Sequence, residues 1–148
     1  MSIRDIDLDP DKAFGIGFPL NYDRNRDNGF FEQNYTYHKQ LQDNIKTLLS
    51  TGMGERPMYG DFGCRLKEVV FEQNEPDILK AGVEESIREA LDNYLPFVTL
   101  VETKLFANNN TLNILGVFKS EFNEQVIEQI IQFEADQQTM DELDPAQP

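Results

Sequence analysis

Few residues in this chain have the type and spacing to do chemistry. It holds one histidine, His38, and one cysteine, Cys64. Together they supply two of the four ligands a structural zinc ion needs, and no further spacing supplies the others. As a thiol nucleophile, Cys64 would need His38 as its base, and nothing in the sequence brings the two together. The bland reading is a packed small thiol and a solvated imidazole. Gly15-x-Gly17 has Leu20 where a dinucleotide loop needs glycine, and no strand precedes it. Among the 27 acidic residues, Glu55 and Asp61 are the best-placed carboxylate pair for acid hydrolysis, flanking one loop. An ion pair of Glu55 with Arg56, and a helix cap at Asp61, explain both without catalysis. The sequence therefore predicts no metal, no cofactor and no enzyme.

The elements around these residues come next. The chain is 148 residues long, one domain's worth, with 27 acidic against 13 basic residues, a net −14. Such a balance argues against nucleic acid and against an anionic membrane, since both select clustered Lys and Arg. Eleven Phe and five Tyr supply one modest core. The charge is uneven. Residues 1–119 hold all 13 basic and 19 of the acidic residues, whereas the last 29 residues hold eight acids, from Glu121 to Asp144, and no base. A single cysteine argues against a disulfide scaffold. The first ten residues lack the pattern of a signal peptide, and no apolar run is long enough to span a membrane, which predicts synthesis as a cytosolic chain.

Asp, Asn, Gly and Pro punctuate residues 1–30, with an apolar island at Phe14-Gly15-Ile16-Gly17-Phe18-Pro19-Leu20. Two readings stand: the island tucks onto its own domain, or residues 1–33 form an extended arm that lays Phe14, Ile16 and Phe18 on another subunit. Tyr37, Leu41, Ile45, Leu48 and Leu49 recur at helical spacing, predicting a helix over about 34–50 with Lys39, Gln42, Asp43 and Lys46 on its polar face. A short helix is expected over 62–71, capped by Asp61. A longer one is expected over 76–94, entered through Pro76 and closed before Pro96. The period then changes: 97–106 and 112–119 read as the strands of an antiparallel hairpin. Residues 123–134 fit either helix or strand, with 126–133 the candidate strand. The acidic stretch 135–148 reads as a disordered tail, leaving 34–134 as a single α+β domain.

The least ordinary segment runs from Leu48 to Leu66, LLSTGMGERPMYGDFGCRL, and is followed by Phe71-Glu72. Three glycines (Gly52, Gly54 and Gly60), Arg56-Pro57 and the pair Phe62-Gly63 mark a fixed loop between two helices. This run resembles the sheath-initiator, or baseplate wedge, family of contractile-tailed phages, with members also in type VI secretion baseplates. The family pattern is a leucine-rich helix, T-x-x-G-x-R-P, D/E-F-G, a short helix ending in F-E, a long helix and a β-hairpin. The resemblance covers about residues 40–120. Where many members carry Glu-Pro-Arg, this chain has Leu95-Pro96-Phe97, so a contact there would be hydrophobic rather than ionic.

The resemblance implies a structural protein of the virion tail baseplate, assembled in the host cytoplasm in six copies. Its implied partners are other baseplate wedge proteins and the tail tube and sheath subunits. It would template the first sheath ring by β-augmentation. Partner contacts would then fall on the arm (Phe14, Ile16, Phe18), the loop (Glu55, Arg56, Pro57, Asp61, Phe62) and the junction (Leu95, Pro96, Phe97). Those on the strands would be Leu112, Ile114, Val117, Ile127, Ile131 and Phe133. The alternative function is an acid hydrolase, since lysozyme-like labels attach to this family.

Overall fold

In the computed structural model the described residues are 12–22, 31–72, 75–108 and 111–134. The chain divides into two units, Met1–Thr47 and Leu48–Pro148. The tail at 135–148 and the turn residues Asn25 to Gly29 lie outside the described residues.

In the first unit, β1 (Gly15–Ile16) pairs antiparallel with β2 (Gln33–Asn34). Around that short ladder, Phe14 N–H donates to the Asn34 carbonyl at 2.7 Å and Gly17 N–H to the Glu32 carbonyl at 2.9 Å. The apolar island is therefore paired with its own chain, while Ile16, Phe18 and Leu20 keep much of their surface exposed. Helix α1 (Tyr37–Ser50) carries the predicted stripe, with Leu41, Ile45, Leu48 and Leu49 buried. It starts later than about residue 34. Asn34 belongs to β2 and spends its side chain on Asp43, so Thr36 takes the capping position, its hydroxyl accepting from Lys39 N–H at 3.4 Å.

The assignment of Asp43 to a solvated face is corrected as well. Asp43 is 3% exposed, and its carboxylate accepts from Asn34 Nδ2 at 2.7 Å, Phe18 N–H at 3.1 Å and Lys39 Nζ at 3.3 Å. Phe18 and Asn34 cover what would otherwise be the wet side of this helix.

In the second unit, α2 (Leu66–Glu72) and α3 (Pro76–Tyr94) pack on one another, and α3 packs on a three-stranded antiparallel sheet. The sheet has the order β3-β4-β5, with β3 at Val98–Asn108, β4 at Thr111–Ser120 and β5 at Val126–Glu134. The stripe Leu79, Val83, Ile87, Ala90 and Leu91 is buried along α3. Val98, Leu112, Ile114, Phe118, Ile127, Ile131 and Phe133 are buried apolar residues of the sheet's inner face. Helix α3 opens with Pro76, whose missing N–H has no partner to lose there. It closes as Leu95 N–H bonds the Leu91 carbonyl and Pro96 forbids another turn. The α+β class, the hairpin and the long helix are as the sequence predicts.

Residues 126–134 are a strand. Nine consecutive pairs tie β5 to β4, from Thr111↔Glu134 to Lys119↔Val126, and burial alternates along it. No described helix is long and apolar enough to cross a membrane.

Candidate functional site

The family-like segment folds as a closed loop between α1 and α2. Its ends meet as a parallel bridge, Gly52↔Cys64, with Cys64 N–H donating to the Thr51 carbonyl at 2.8 Å. Gly54 N–H reaches the Gly60 carbonyl at 2.8 Å across the middle. Residues 61–65 are held by this bridge, so α2 begins at Leu66 and Asp61, exposed, caps nothing; a helix start at 62 is corrected accordingly.

Glu55 does not pair with Arg56 either. Its carboxylate accepts from Lys67 Nζ at 2.5 Å and from Gly52 N–H at 3.0 Å. Arg56 instead lies over the Phe62 ring, 3.9 Å from its centroid, and Phe62 meets Tyr94 edge-on at 4.9 Å. This Arg56–Phe62–Tyr94 stack pins the loop to the last turn of α3. Sequence reasoning missed Lys67 and Tyr94, because both partners lie far along the chain and no local spacing marks them.

The loop can bind but is poorly arranged to catalyse. Lys67, and then Gly52 N–H, hold the Glu55 carboxyl below its usual range, the opposite of what a general acid needs at neutral pH. The cavity of about 410 Å³ beside the loop is lined by Arg56, Met58, Tyr59, Gly60, Asp61, Phe62 and Tyr94, which places one carboxylate there rather than two. Cys64 is buried, its thiol 3.4 Å from the Ser86 carbonyl and 3.3 Å from the Ser86 hydroxyl, and burial pushes its pKa up. Among the described residues no cluster of three or more metal-ligating side chains forms.

What the loop does present is apolar. Met58, at φ 69°, is 98% exposed and Tyr59 is largely exposed beside it, while Pro57 and Asp61 are also at the surface. The left-handed region is uncommon for a residue other than glycine, and here it turns the Met58 side chain away from the loop's own packing.

The other predicted positions sort by depth. Phe14 is half-buried against Tyr37, ring to ring at 6.5 Å. Leu95 and Phe97 are half-buried at the α3–β3 junction, Phe97 on Phe122 at 5.4 Å, and Pro96 is exposed between them. Leu112, Ile114, Ile127, Ile131 and Phe133 face the core, and Val117 lies half-buried on the outer face. The structure brings Arg56 and Phe62 together.

The sheet's two edges differ. Strand β3 carries a β-bulge at Val101, between the pairs Leu100↔Phe118 and Glu102↔Val117, with Lys104 three residues on. Strand β5 has neither bulge, proline nor lysine, and no described strand flanks its outer side.

Comparisons with known proteins agree with this architecture. A Geobacter sulfurreducens crystal structure, provisionally described as a tail lysozyme, superposes with a TM-score of 0.57 at 23% identity, covering 66% of this chain and 90% of that one. A chain of the anti-feeding prophage baseplate gives 0.53 at 18% identity, covering 82% and 84%. A chain of the contracted pyocin R2 baseplate gives 0.43 at 17%, covering 79% and 99%. A search of curated protein sequences returns no match. The first two likenesses show a shared fold. The model of the family described as baseplate wedge protein gp25 matches residues 36–116, more than half of the chain, taking in α1, the closed loop, both further helices and the start of the hairpin. On that match the chain belongs to the gp25 family of baseplate wedge proteins.

Proposed function

We propose that this chain is a non-enzymatic part of a contractile tail baseplate that joins the wedge to the tube and sheath and templates the first sheath ring. The observation that carries the reading is the unguarded edge of β5. Sheet edges are normally blunted by bulges, lysines or prolines, and β3 has a bulge and a lysine. β5 has none, so its outward N–H and C=O groups are open to an extended strand of a sheath subunit. Ile127, Ile131 and Phe133 then extend the core to apolar residues of the donated strand, and the buried members of the predicted set act through the backbone they hold in place. The first sheath subunit meets an ordered template, which lowers the cost of nucleation.

The exposed and half-buried residues serve the wedge side. Ile16 and Phe18 of the N-terminal hairpin, the Arg56–Phe62 loop with Pro57 and Asp61, and Leu95-Pro96-Phe97 are its contacts with other baseplate proteins. The family resemblance implies six copies per baseplate, assembled in the host cytoplasm. Glu124 and Glu128 beside the open edge steer a basic partner.

The test uses two variants. Deleting residues 120–148 removes β5, and baseplates carrying it should complete without growing sheath. The pair Val126→Lys and Ile130→Lys changes two exposed positions, adds the missing edge lysines and should also block sheath growth while the protein stays folded by circular dichroism. Normal sheath on either background overturns the templating role. No observation favours the hydrolase: its acid would be Glu55, which Lys67 holds ionised.

A further inference from the structure

The second unit has another opening, away from the sheet edge, where α2 crosses α3. A groove of about 400 Å³ runs between these helices. Val69, Ile78, Ala81 and Gly82 form its apolar floor. Gly82 is set so closely under α2 that a Cβ there would lie 2.9 Å from Val69 Cγ1, and Ile78 keeps 48% of its surface exposed. Glu72, Glu85 and Glu89 form the rim, and none of the three makes an ion pair among the described residues. The one cation in the groove, Arg65, is engaged by Glu68 at 3.0 Å. A shallower hollow shares Ala81, Glu85 and Glu89 and prolongs the acidic wall past Glu84 and Asp92, with Arg88 the one base along it.

An apolar floor between three carboxylates, where Arg65, itself bound by Glu68, is the one lining cation near Glu72 and Glu89, selects its occupant by charge. A second copy, at net −14, is repelled, and nucleic acid is repelled for the same reason. An acidic or neutral helix would leave the rim charges uncompensated. We propose that the α2–α3 groove is a docking site for a basic amphipathic helix of another protein, with aliphatic side chains on Val69, Ile78 and Ala81 and Lys or Arg on Glu72, Glu85 and Glu89. Ala81, small and exposed beside Ile78, lets the incoming ridge sit close, as helix-in-groove recognition requires, while Gly82 admits Val69 of α2. The site is independent of the β5 edge, so a baseplate protein bound here and a sheath strand bound there do not compete.

The experiment titrates the full chain with a labelled helical peptide of about 14 residues, leucines along one face and lysines along the flanks, followed by fluorescence anisotropy. A peptide of the same charge with serine for leucine is the control for attraction by charge alone. The leucine peptide should bind at least tenfold more tightly. Ile78→Ser, and the pair Glu85→Gln and Glu89→Gln, should each weaken it about fivefold or more, two rim charges of middling surface-pair strength giving that factor. The pair Glu102→Gln and Glu121→Gln, on the sheet side, should leave it unchanged. Equal binding of the two peptides, no effect of Ile78→Ser, or equal loss from the sheet-side pair would each overturn the proposal. A failure here leaves the sheath-growth result untouched.

Discussion

Three glycines of the closed loop separate collision, backbone strain and neutrality within ten residues. Gly63 has φ +136°, and a Cβ there would stand 2.6 Å from the Thr51 carbonyl oxygen and 2.9 Å from Gly52 C and O, all backbone atoms that no side-chain rotation can clear. Gly63→Ala therefore incurs strain in a glycine-only region, about 1–3 kcal/mol. It also displaces the strand that receives Cys64 N–H at 2.8 Å, roughly another 1 kcal/mol. The total is about 2–4 kcal/mol. At about 2–4 °C per kcal/mol for a chain of this size, the melting temperature should fall by roughly 10 °C. Gly54 is also left-handed, at φ +79°, but nothing lies within 4 Å of its Cβ position. Gly54→Ala should then show the conformational cost alone, about 1 kcal/mol. Gly60 has open space and no positive φ, so Gly60→Ala should be neutral or stabilise by up to about 1 kcal/mol. Thermal and urea melts by circular dichroism read all three. The order Gly63 ≫ Gly54 > Gly60 is the result expected. Gly63→Ala melting with Gly60→Ala would refute the Gly52–Cys64 bridge as the closure of the loop.

Asp43→Ala removes a buried carboxylate that serves three donors, at a cost of about 2–4 kcal/mol, and hydrogen exchange at the Phe18 amide should lose its protection. An unchanged Phe18 amide would show that Asp43 does not hold the hairpin. The folded Glu55 carboxyl titrates below its usual 4.5 because of Lys67 first and Gly52 N–H second. Its contribution is therefore complete above about pH 4.5 and disappears as the pH falls through the folded value; Lys67→Gln should move the carboxyl NMR titration back upward. The buried Cys64 thiol, its pKa raised by burial, should react with iodoacetamide at pH 8 far more slowly than in denaturant; rapid labelling of the native chain would contradict its placement.

Helices α1 and α3 were legible because each buries a stripe repeated over several turns, and α3 is bracketed by prolines. The hairpin was legible from its change of period. What resisted reading was set by partners distant in sequence. Val126, Ile127, Ile130 and Ile131 satisfy both periods, and the pairing with β4 decides for a strand. Asp43 reads as a solvated helix residue until the segment around Phe18 covers it. Glu55 stands beside Arg56 in sequence, yet the loop's closure delivers Lys67 to the carboxylate and turns Arg56 onto Phe62. The resemblance carried by Thr51 to Gly63 located the loop correctly, but only the fold shows that its arginine stacks and its first glutamate is tied down.

The two edges of the sheet explain where the acidic excess sits. On the templating proposal, an edge strand nine residues long with no described neighbour on its outer side is a hazard before its partner arrives, because another copy offers the same backbone groups. β3 meets that hazard by shape, with its bulge at Val101 and a lysine. On β5 the same devices would also exclude a legitimate strand. Charge discriminates where shape cannot. Every ionisable side chain charged at neutral pH after Lys119 is acidic, so β5 of one copy approaching β5 of another brings like charges together, whereas a basic strand gains attraction at the same edge. If β5 receives a sheath strand as proposed, the uneven charge and the strand without bulge, proline or lysine are one device: they leave the edge to a partner of opposite charge and protect it against its own kind.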